Sequence, residues 1–279
     1  MQHVGLIGFP VAHSLSPRMQ QAAFDACGIA AHYALWETAP ADLPARIAGL
    51  RAPEMLGANV TIPHKTAALA LIDDCDPLAA SVGAINTIVN RAGRLIGYNT
   101  DVGGMMQALA ANREHPFQSQ GKRAVLLGTG GAARAAAFGL LEGDVAELMV
   151  LGRNEAHLHS FVAQLGEAHQ TALSGALLES AAANQFLAQT DLVVNATSVG
   201  LHENETNALI DVAYLSPDTL VMDMIFNPPT TPLLRAAQAR GCAVMNGLTM
   251  LLYQGVLAFE HWTGQPAPVE VMQRALGLL

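Results

Sequence analysis

The chain has 279 residues, a formal net charge of −9, 51% hydrophobic residues and only 13% charged ones. That length suits two domains, the apolar share fills a sizeable core and argues against disorder, and the acidic balance speaks against a nucleic-acid surface. No apolar run approaches the ~18–20 residues that span a bilayer, and Met1-Gln2-His3-Val4-Gly5 lacks the basic start of a signal peptide, so the expectation is a soluble, cytoplasmic monomer or homodimer without a membrane partner.

Apolar runs alternate with helix-like segments throughout, the pattern of an α/β protein. His3–Gly8 reads as a strand, and Pro17 suits the first turn of a helix to about Cys27 with Ser16 as its cap. Ala31–Trp36 is a second strand, Asp42–Leu50 a helix, and Leu56–Val60 a short strand ahead of a helix starting near His64. Asn86–Asn90 and Arg94–Tyr98 form a hairpin turned at Ala92-Gly93. A connecting helix follows at Val102–Ala111, and the polar stretch Asn112–Gly121 separates it from a new unit. That unit opens with strand Ala124–Leu127, a glycine turn, helix Ala132–Leu141 and strand Glu147–Leu151. Strands at Asp191–Asn195 and Leu220–Asp223 continue it, and helices near Thr231–Ala239, Leu248–His261 and Pro268–Leu276 close the chain.

Cys27, Cys75 and Cys242 are far apart and odd in number, which suits buried reduced thiols better than a disulfide framework. No Cys/His spacing suits zinc. His157 and His159 are two apart and would leave a helix on different sides, so no metal is expected.

Gly128-Thr129-Gly130-Gly131-Ala132-Ala133 fits G-x-G-x-x-A between a strand and a helix, the context a dinucleotide site requires. Gly128 permits the tight turn, Gly130 a close approach of backbone to pyrophosphate, and Ala133 close helix–sheet packing. The other reading is a plain tight turn. The next strand ends at Leu151-Gly152-Arg153-Asn154, where an NAD site usually places a carboxylate for the ribose 2′-hydroxyl. Arg153 offers a cation to a 2′-phosphate instead, which favours NADP, unless it simply faces solvent.

Four short segments carry more polar groups than packing needs: Ser14-Leu15-Ser16-Pro17, Asn59 to Lys65, Ala84 to Thr87, and Asn99-Thr100-Asp101. Singly, each has a plain explanation as a cap, a turn or a solvated cation. Together they offer hydroxyls, amides, an ammonium and a carboxylate, as a polyhydroxylated acid would require. Lys65 stands out because twelve of the fourteen cationic residues are arginine, and because a cation at a helix start opposes the dipole.

The chain resembles the shikimate dehydrogenase family over nearly its whole length. The resemblance is carried by His13 to Pro17, Gly57 to Lys65, Gly83 to Thr87, Asn99 to Asp101, the glycine turn, Asn195-Ala196-Thr197, and Gly247 to Gln254. It implies an N-terminal α/β substrate domain over 1–101 and 247–279, and a Rossmann-like NADP domain over 102–246. The C-terminal helices would return to the first domain. It also implies that Ser14 and Ser16 bind the substrate carboxylate, and that Thr61, Asn86, Asp101 and Gln254 hold ring hydroxyls. Lys65 and Asp101 would be the catalytic pair. Cofactor contacts would come from Gly128, Gly130, Gly131, Ala132 and Ala133, from Arg153 and Asn154, and from Thr197, Met224 and Gly247. The implied reaction is reversible reduction of 3-dehydroshikimate to shikimate, part of the chorismate route to aromatic amino acids. The chemistry agrees: ketone reduction needs a proton for the oxygen, and a lysine can give one where an arginine hardly deprotonates.

Three positions depart from the family. Gly152-Arg153-Asn154 stands where Asn-Arg-Thr is common, Phe226 where tyrosine is usual, and Asn246 where aspartate often precedes the glycine. Quinate/shikimate and aminoshikimate dehydrogenases remain as alternatives, as does a catalytically silent sensor of the same fold. Two small serines favour shikimate, and intact Lys65 and Asp101 argue against silence. A methylene-folate dehydrogenase would have no use for Ser14 and Ser16.

Overall fold

The computed structural model describes residues 1–112, 115–167, 169, 171–202 and 206–279. Arg113 and Glu114, in the polar stretch read as a domain break, lie outside the described residues. The chain divides into two compact units, Met1–Gly104 with Leu251–Leu279, and Met105–Met250.

The first unit runs β1 (Gln2–Gly8), α1 (Ser16–Ala26), β2 (Ala31–Glu37), α2 (Leu43–Gly49), β3 (Met55–Val60), α3 (Lys65–Leu69), β4 (Asp74–Cys75), α4 (Pro77–Val82), β5 (Thr87–Arg91) and β6 (Arg94–Tyr98). Its six-stranded sheet has the order β2-β1-β3-β5-β6-β4. The first three strands are parallel, which requires crossover helices and buries β1 and β3 between layers. Val4, Ile7 and Ala58 are accordingly wholly buried. Strands β5 and β6 pair antiparallel through the expected tight turn. Ala92 and Gly93 both take positive φ there, and Asn90 Oδ1 accepts the Gly93 N–H at 2.7 Å.

Ser16 does not cap α1. It is the first helical residue, because Leu15 takes the capping position with Pro17 just inside, and no side chain caps the end. Ser14 makes the local contact instead: its Oγ accepts the Ser16 backbone N–H at 3.2 Å. Cys27 and Cys75 are half-buried, and only Cys242 is fully so; all three are free thiols.

Helix α5 (Thr100–Ala110) leads out of this unit. The second unit then runs β7 (Arg123–Leu127), α6 (Gly131–Glu142), β8 (Glu147–Gly152), α7 (Glu155–Gly166), β9 (Ala172–Leu177), α8 (Ala181–Leu187), β10 (Leu192–Asn195), β11 (Leu220–Asp223), α9 (Pro232–Arg240) and β12 (Ala243–Met245). Helices α10 (Leu248–Thr263) and α11 (Val269–Leu276) follow. The division between the units falls inside α5 and inside α10.

All six strands of the second sheet are parallel, in the order β12-β11-β10-β7-β8-β9. This is the doubly wound order, in which strand direction of growth reverses between β7 and β10. Both central strands are near-continuous apolar runs: Ala124 to Leu127 and Leu192 to Val194 have no exposed surface. Such a sheet leaves a crevice beyond the carboxyl ends of its strands at the reversal. Among the described residues, no helix is long and apolar enough to cross a membrane.

Candidate active site

In the first unit three of the four polar segments meet at one carboxylate. Asp101 sits in the first turn of α5 and is 5% exposed. Lys65 opens α3, and its Nζ donates to Asp101 Oδ2 at 2.6 Å. Asn86, just before β5, donates from Nδ2 to Asp101 Oδ1 at 2.8 Å. The orientation of that amide is fixed by the backbone, since Asn86 Oδ1 accepts the Thr100 N–H at 2.7 Å. Each oxygen of Asp101 therefore has its own donor. The Asn99 side chain accepts the Asp101 and Val102 N–H groups, at 3.1 and 3.4 Å, and so closes the open start of α5.

This arrangement answers the unfavourable placement of Lys65 at a helix start. The carboxylate supplies the compensation that the helix end does not. The Lys65 side chain keeps 17% of its surface exposed, so the ammonium is held but not sealed. Asn86 is 2% exposed and spends its hydrogen bonds on Thr100, Thr87 and Asp101; within the protein its work is to hold Asp101.

The other expected residues of this unit lie on the elements around that pair. Thr61 directly follows β3 and packs so tightly on β1 that a Cβ at Gly8 would fall 2.4 Å from its methyl group. Ser14 and Ser16 stand at the start of α1; the Ser14 hydroxyl, which accepts from Ser16, keeps its own proton to give. Gln254 lies half-buried on α10, with its Nε2 folded back on Leu251 O at 2.8 Å.

Sequence reasoning gave no role to Tyr33, Thr87 or Thr100, and quoted Asn59 only as part of a segment. Asn59 is 4% exposed in β3, accepts from the Tyr33 hydroxyl at 2.7 Å and donates to Thr87 Oγ1 at 3.1 Å. Burial pushes the Tyr33 phenol well above its usual range, and a hydrogen bond from Ser16 partly offsets this. An amide inside an otherwise apolar strand was the signal available for Asn59. Nothing in the sequence marks Tyr33.

The second unit carries its own site at the reversal between β7 and β10. Gly128 leaves β7 with φ +109°, and a Cβ there would lie 2.9 Å from Thr197 Cγ2, so both strain and crowding demand glycine. Gly130 precedes α6, and a Cβ there would meet nothing within 4 Å, which leaves open space before the first-turn N–H groups of Gly131, Ala132 and Ala133. Ala133 itself is wholly buried, as close helix–sheet packing requires. Thr197 is held by Asn195, whose Oδ1 accepts from its N–H at 3.0 Å and from its hydroxyl at 2.8 Å.

At the end of β8, Arg153 is exposed and enters no ion pair among the described residues. Asn154 caps α7, its Oδ1 accepting the His157 N–H at 2.9 Å, so only its amide hydrogens remain to donate outward. Met224 follows β11 and presents its carbonyl to Gly247, where a Cβ would come within 2.0 Å of that oxygen. Phe226 lies half-buried in the same loop. A glycine turn with open space, a free helix start and an unpaired arginine one strand away fit a pyrophosphate and a 2′-phosphate. Among the described residues, no group of three His, Cys, Asp or Glu side chains is placed to hold a metal ion.

A doubly wound parallel sheet with a glycine turn at its reversal, joined to a second α/β unit that holds a lysine–carboxylate pair, defines a two-domain, dinucleotide-binding oxidoreductase class. Comparison narrows the class. Residues 6–88 match the family described as shikimate dehydrogenase substrate binding domain, 109–224 match shikimate / quinate 5-dehydrogenase, and 247–276 match shikimate 5'-dehydrogenase C-terminal domain. The chain is 44% identical to shikimate dehydrogenase (NADP(+)) of Symbiobacterium thermophilum, over 98% of this chain and 92% of the relative. It is 43% identical to the protein of the same name from Moorella thermoacetica, over 98% and 92%. The crystal structure of shikimate 5-dehydrogenase from Thermus thermophilus in complex with NADP(H) and shikimate superposes with a TM-score of 0.88 at 35% identity, covering 100% of this chain and 99% of that one. This chain belongs to the shikimate dehydrogenase family.

One further group organises the second site. Asp223, wholly buried at the end of β11, accepts from Thr231 Oγ1 at 2.7 Å, Ile225 N at 3.0 Å and Asn195 Nδ2 at 3.1 Å, with no cation in contact among the described residues. Burial pushes its carboxyl above the usual range, partly offset by those three bonds. An acid raised in the folded state stabilises the fold below the ordinary carboxylate range and loses that contribution as pH rises through the raised value. Asp223→Asn cannot ionise, so its melting temperature should gain on the parent's as pH rises above the ordinary carboxylate range. A difference that stays constant as pH rises would show that Asp223 does not carry the raised value.

Proposed function

We propose that this chain catalyses the reversible reduction of 3-dehydroshikimate to shikimate with NADP as its cofactor. The observation that carries the reading is the 2.6 Å contact between Lys65 Nζ and Asp101 Oδ2, with Asn86 holding the other carboxylate oxygen. When bound, the reduced nicotinamide supplies a hydride to the ketone carbon. The oxygen then needs a proton, which the Lys65 ammonium gives as negative charge grows on it. Asp101 holds and aims that ammonium before the transfer, and afterwards lies beside a neutral amine. The partly exposed amine recovers its proton from solvent. In the oxidative direction the same neutral amine takes the hydroxyl proton. An arginine at this position could hold the carboxylate but could not alternate between protonation states.

In this reading Ser14 and Ser16 donate to the substrate carboxylate, and Thr61, Asn86, Asp101 and Gln254 meet the ring hydroxyls. The glycine turn at 128–133 receives the pyrophosphate, Arg153 and Asn154 the 2′-phosphate, and Thr197, Met224 and Gly247 the remainder of the cofactor. The first unit is then the substrate domain and the second the cofactor domain. The names of the relatives favour shikimate over quinate as substrate. Three free thiols suit the reducing cytoplasm, where such a biosynthetic enzyme works.

Lys65→Met should lower kcat by roughly 10²–10⁴, the usual contribution of a positioned proton donor, while shikimate binding stays within about tenfold. Single-turnover rates and equilibrium titration would measure both, and a variant keeping a tenth of the parent kcat would remove Lys65 from the chemistry. Arg153→Ala should lower kcat/KM for NADP about tenfold or more, the loss of a charged hydrogen bond, and leave NAD nearly unaffected. Equal losses with both cofactors would mean that Arg153 does not meet the 2′-phosphate.

A further inference from the structure

Gln254 is the one expected substrate contact contributed by the C-terminal part of the chain, and the first unit fixes its place from two sides. On one side is Gly104, three residues beyond Asp101 on α5. A Cβ at Gly104 would lie 2.7 Å from both the backbone nitrogen and the Cβ of Gln254, and 2.9 Å from its Cα. Those neighbours are main chain or rigidly attached to it, so α10 can come this close only to a glycine. The adjacent Gly103 differs in kind: a Cβ there would meet only the flexible tip of Leu257, at 2.7 Å.

On the other side is Gln20, four residues beyond Ser16 on α1 and wholly buried. Its Nε2 donates to Gly255 O at 2.9 Å, across 235 residues of sequence. The same helices touch closely here, since a Cβ at Gly255 would fall 2.1 Å from Met19 Cε and 3.1 Å from Gln20 Nε2. Gln20 Oε1 has no partner among the described residues. A buried amide that satisfies only its donor is costly as packing material, and an apolar side chain would fill the space without leaving an orphan acceptor. The tie to Gly255 is what the amide provides.

We propose that Gly104 and Gln20 are positioning residues that set the place of Gln254, and with it the hold on the hydroxylated acid. The proposal rests on the reading of Gln254 as a substrate contact. Through Gly104 the position of Gln254 is referred to α5, the helix that carries Asp101 in its first turn. Through Gln20 it is referred to the helix that starts with Ser16. A residue one turn along each of those helices therefore fixes the register of α10 against both ends of the substrate site.

The test is steady-state shikimate oxidation with NADP by four variants of the full chain, each with its melting temperature. Gln254→Ala should raise KM for shikimate about tenfold. Gly104→Ala should raise it at least fivefold with kcat within threefold and KM for NADP unchanged, although alanine favours the helix. Gly103→Ala should match the parent in both constants. Gln20→Met, which loses only the tie to Gly255, should raise KM for shikimate in the same selective way, and it carries the proposal if Gly104→Ala does not fold. A KM for shikimate unchanged in Gly104→Ala and in Gln20→Met, beside a raised value in Gln254→Ala, would overturn the positioning role. An unchanged KM in Gln254→Ala would instead overturn the reading of Gln254, and the positioning proposal with it. Equal rises in Gly103→Ala and Gly104→Ala would also overturn it, by showing that crowding of α5 in general is responsible.

Discussion

A carboxylate that is 5% exposed must have its charge answered, and much of the first unit is arranged around answering Asp101. The two answers come from separate places in the chain. Lys65 arrives by the turn after β3, and Asn86 by the turn before β5; these two strands pair antiparallel, which brings their ends together. Asp101 itself is delivered by the end of β6, paired to β5 through the hairpin. The sheet order β3-β5-β6 is thus the scaffold of a three-residue cluster, and a register slip in either pairing would pull it apart.

The cluster also explains why a lysine is found at the start of a helix. A cation there opposes the helix dipole, and a stability argument alone would place it at the other end. Paired with Asp101, the same lysine has a partner for its charge and a side chain that still reaches water, as the proposed proton donor requires. The second unit follows a different constraint. Its central strands β7, β10 and β11 are buried on both faces, and polar groups stand at their carboxyl ends, where Asn195 and Asp223 fold the following loops and Gly128 bends between them. Each unit therefore builds its own polar site by the rule its own sheet imposes.

Most of this architecture is legible in the sequence because the signals are local. The glycine turn between an apolar strand and a helix announces the second sheet, and Ala92-Gly93 announces the hairpin. Elements without a local signal escape such reading. Strand β9 has an exposed and weakly apolar pattern because it lies at a sheet edge, β4 has two residues, and α4 has six. Helix α7 did carry a signal: Leu158, Phe161 and Leu165 are buried at helical spacing, yet the polar residues between them obscure it. At the site, residue types at turns were readable, whereas their mutual geometry was not. Ser16 looked like a cap and is the first helical residue. Asn86, expected as a substrate contact, also supports Asp101 within the protein, a role that no local signal announces. Tyr33 and Gln20 were invisible, since a buried phenol or amide acquires its meaning only from partners distant in sequence.

The central claim is that this lysine–carboxylate pair and this dinucleotide turn together make an NADP-dependent shikimate dehydrogenase. Initial rates of nicotinamide reduction by the purified chain, with shikimate or quinate and with NADP or NAD, test it most directly. The account predicts that kcat/KM is highest for shikimate with NADP and falls when either is exchanged. A chain that oxidises neither acid, or that turns over quinate with NAD as efficiently as shikimate with NADP, would contradict it.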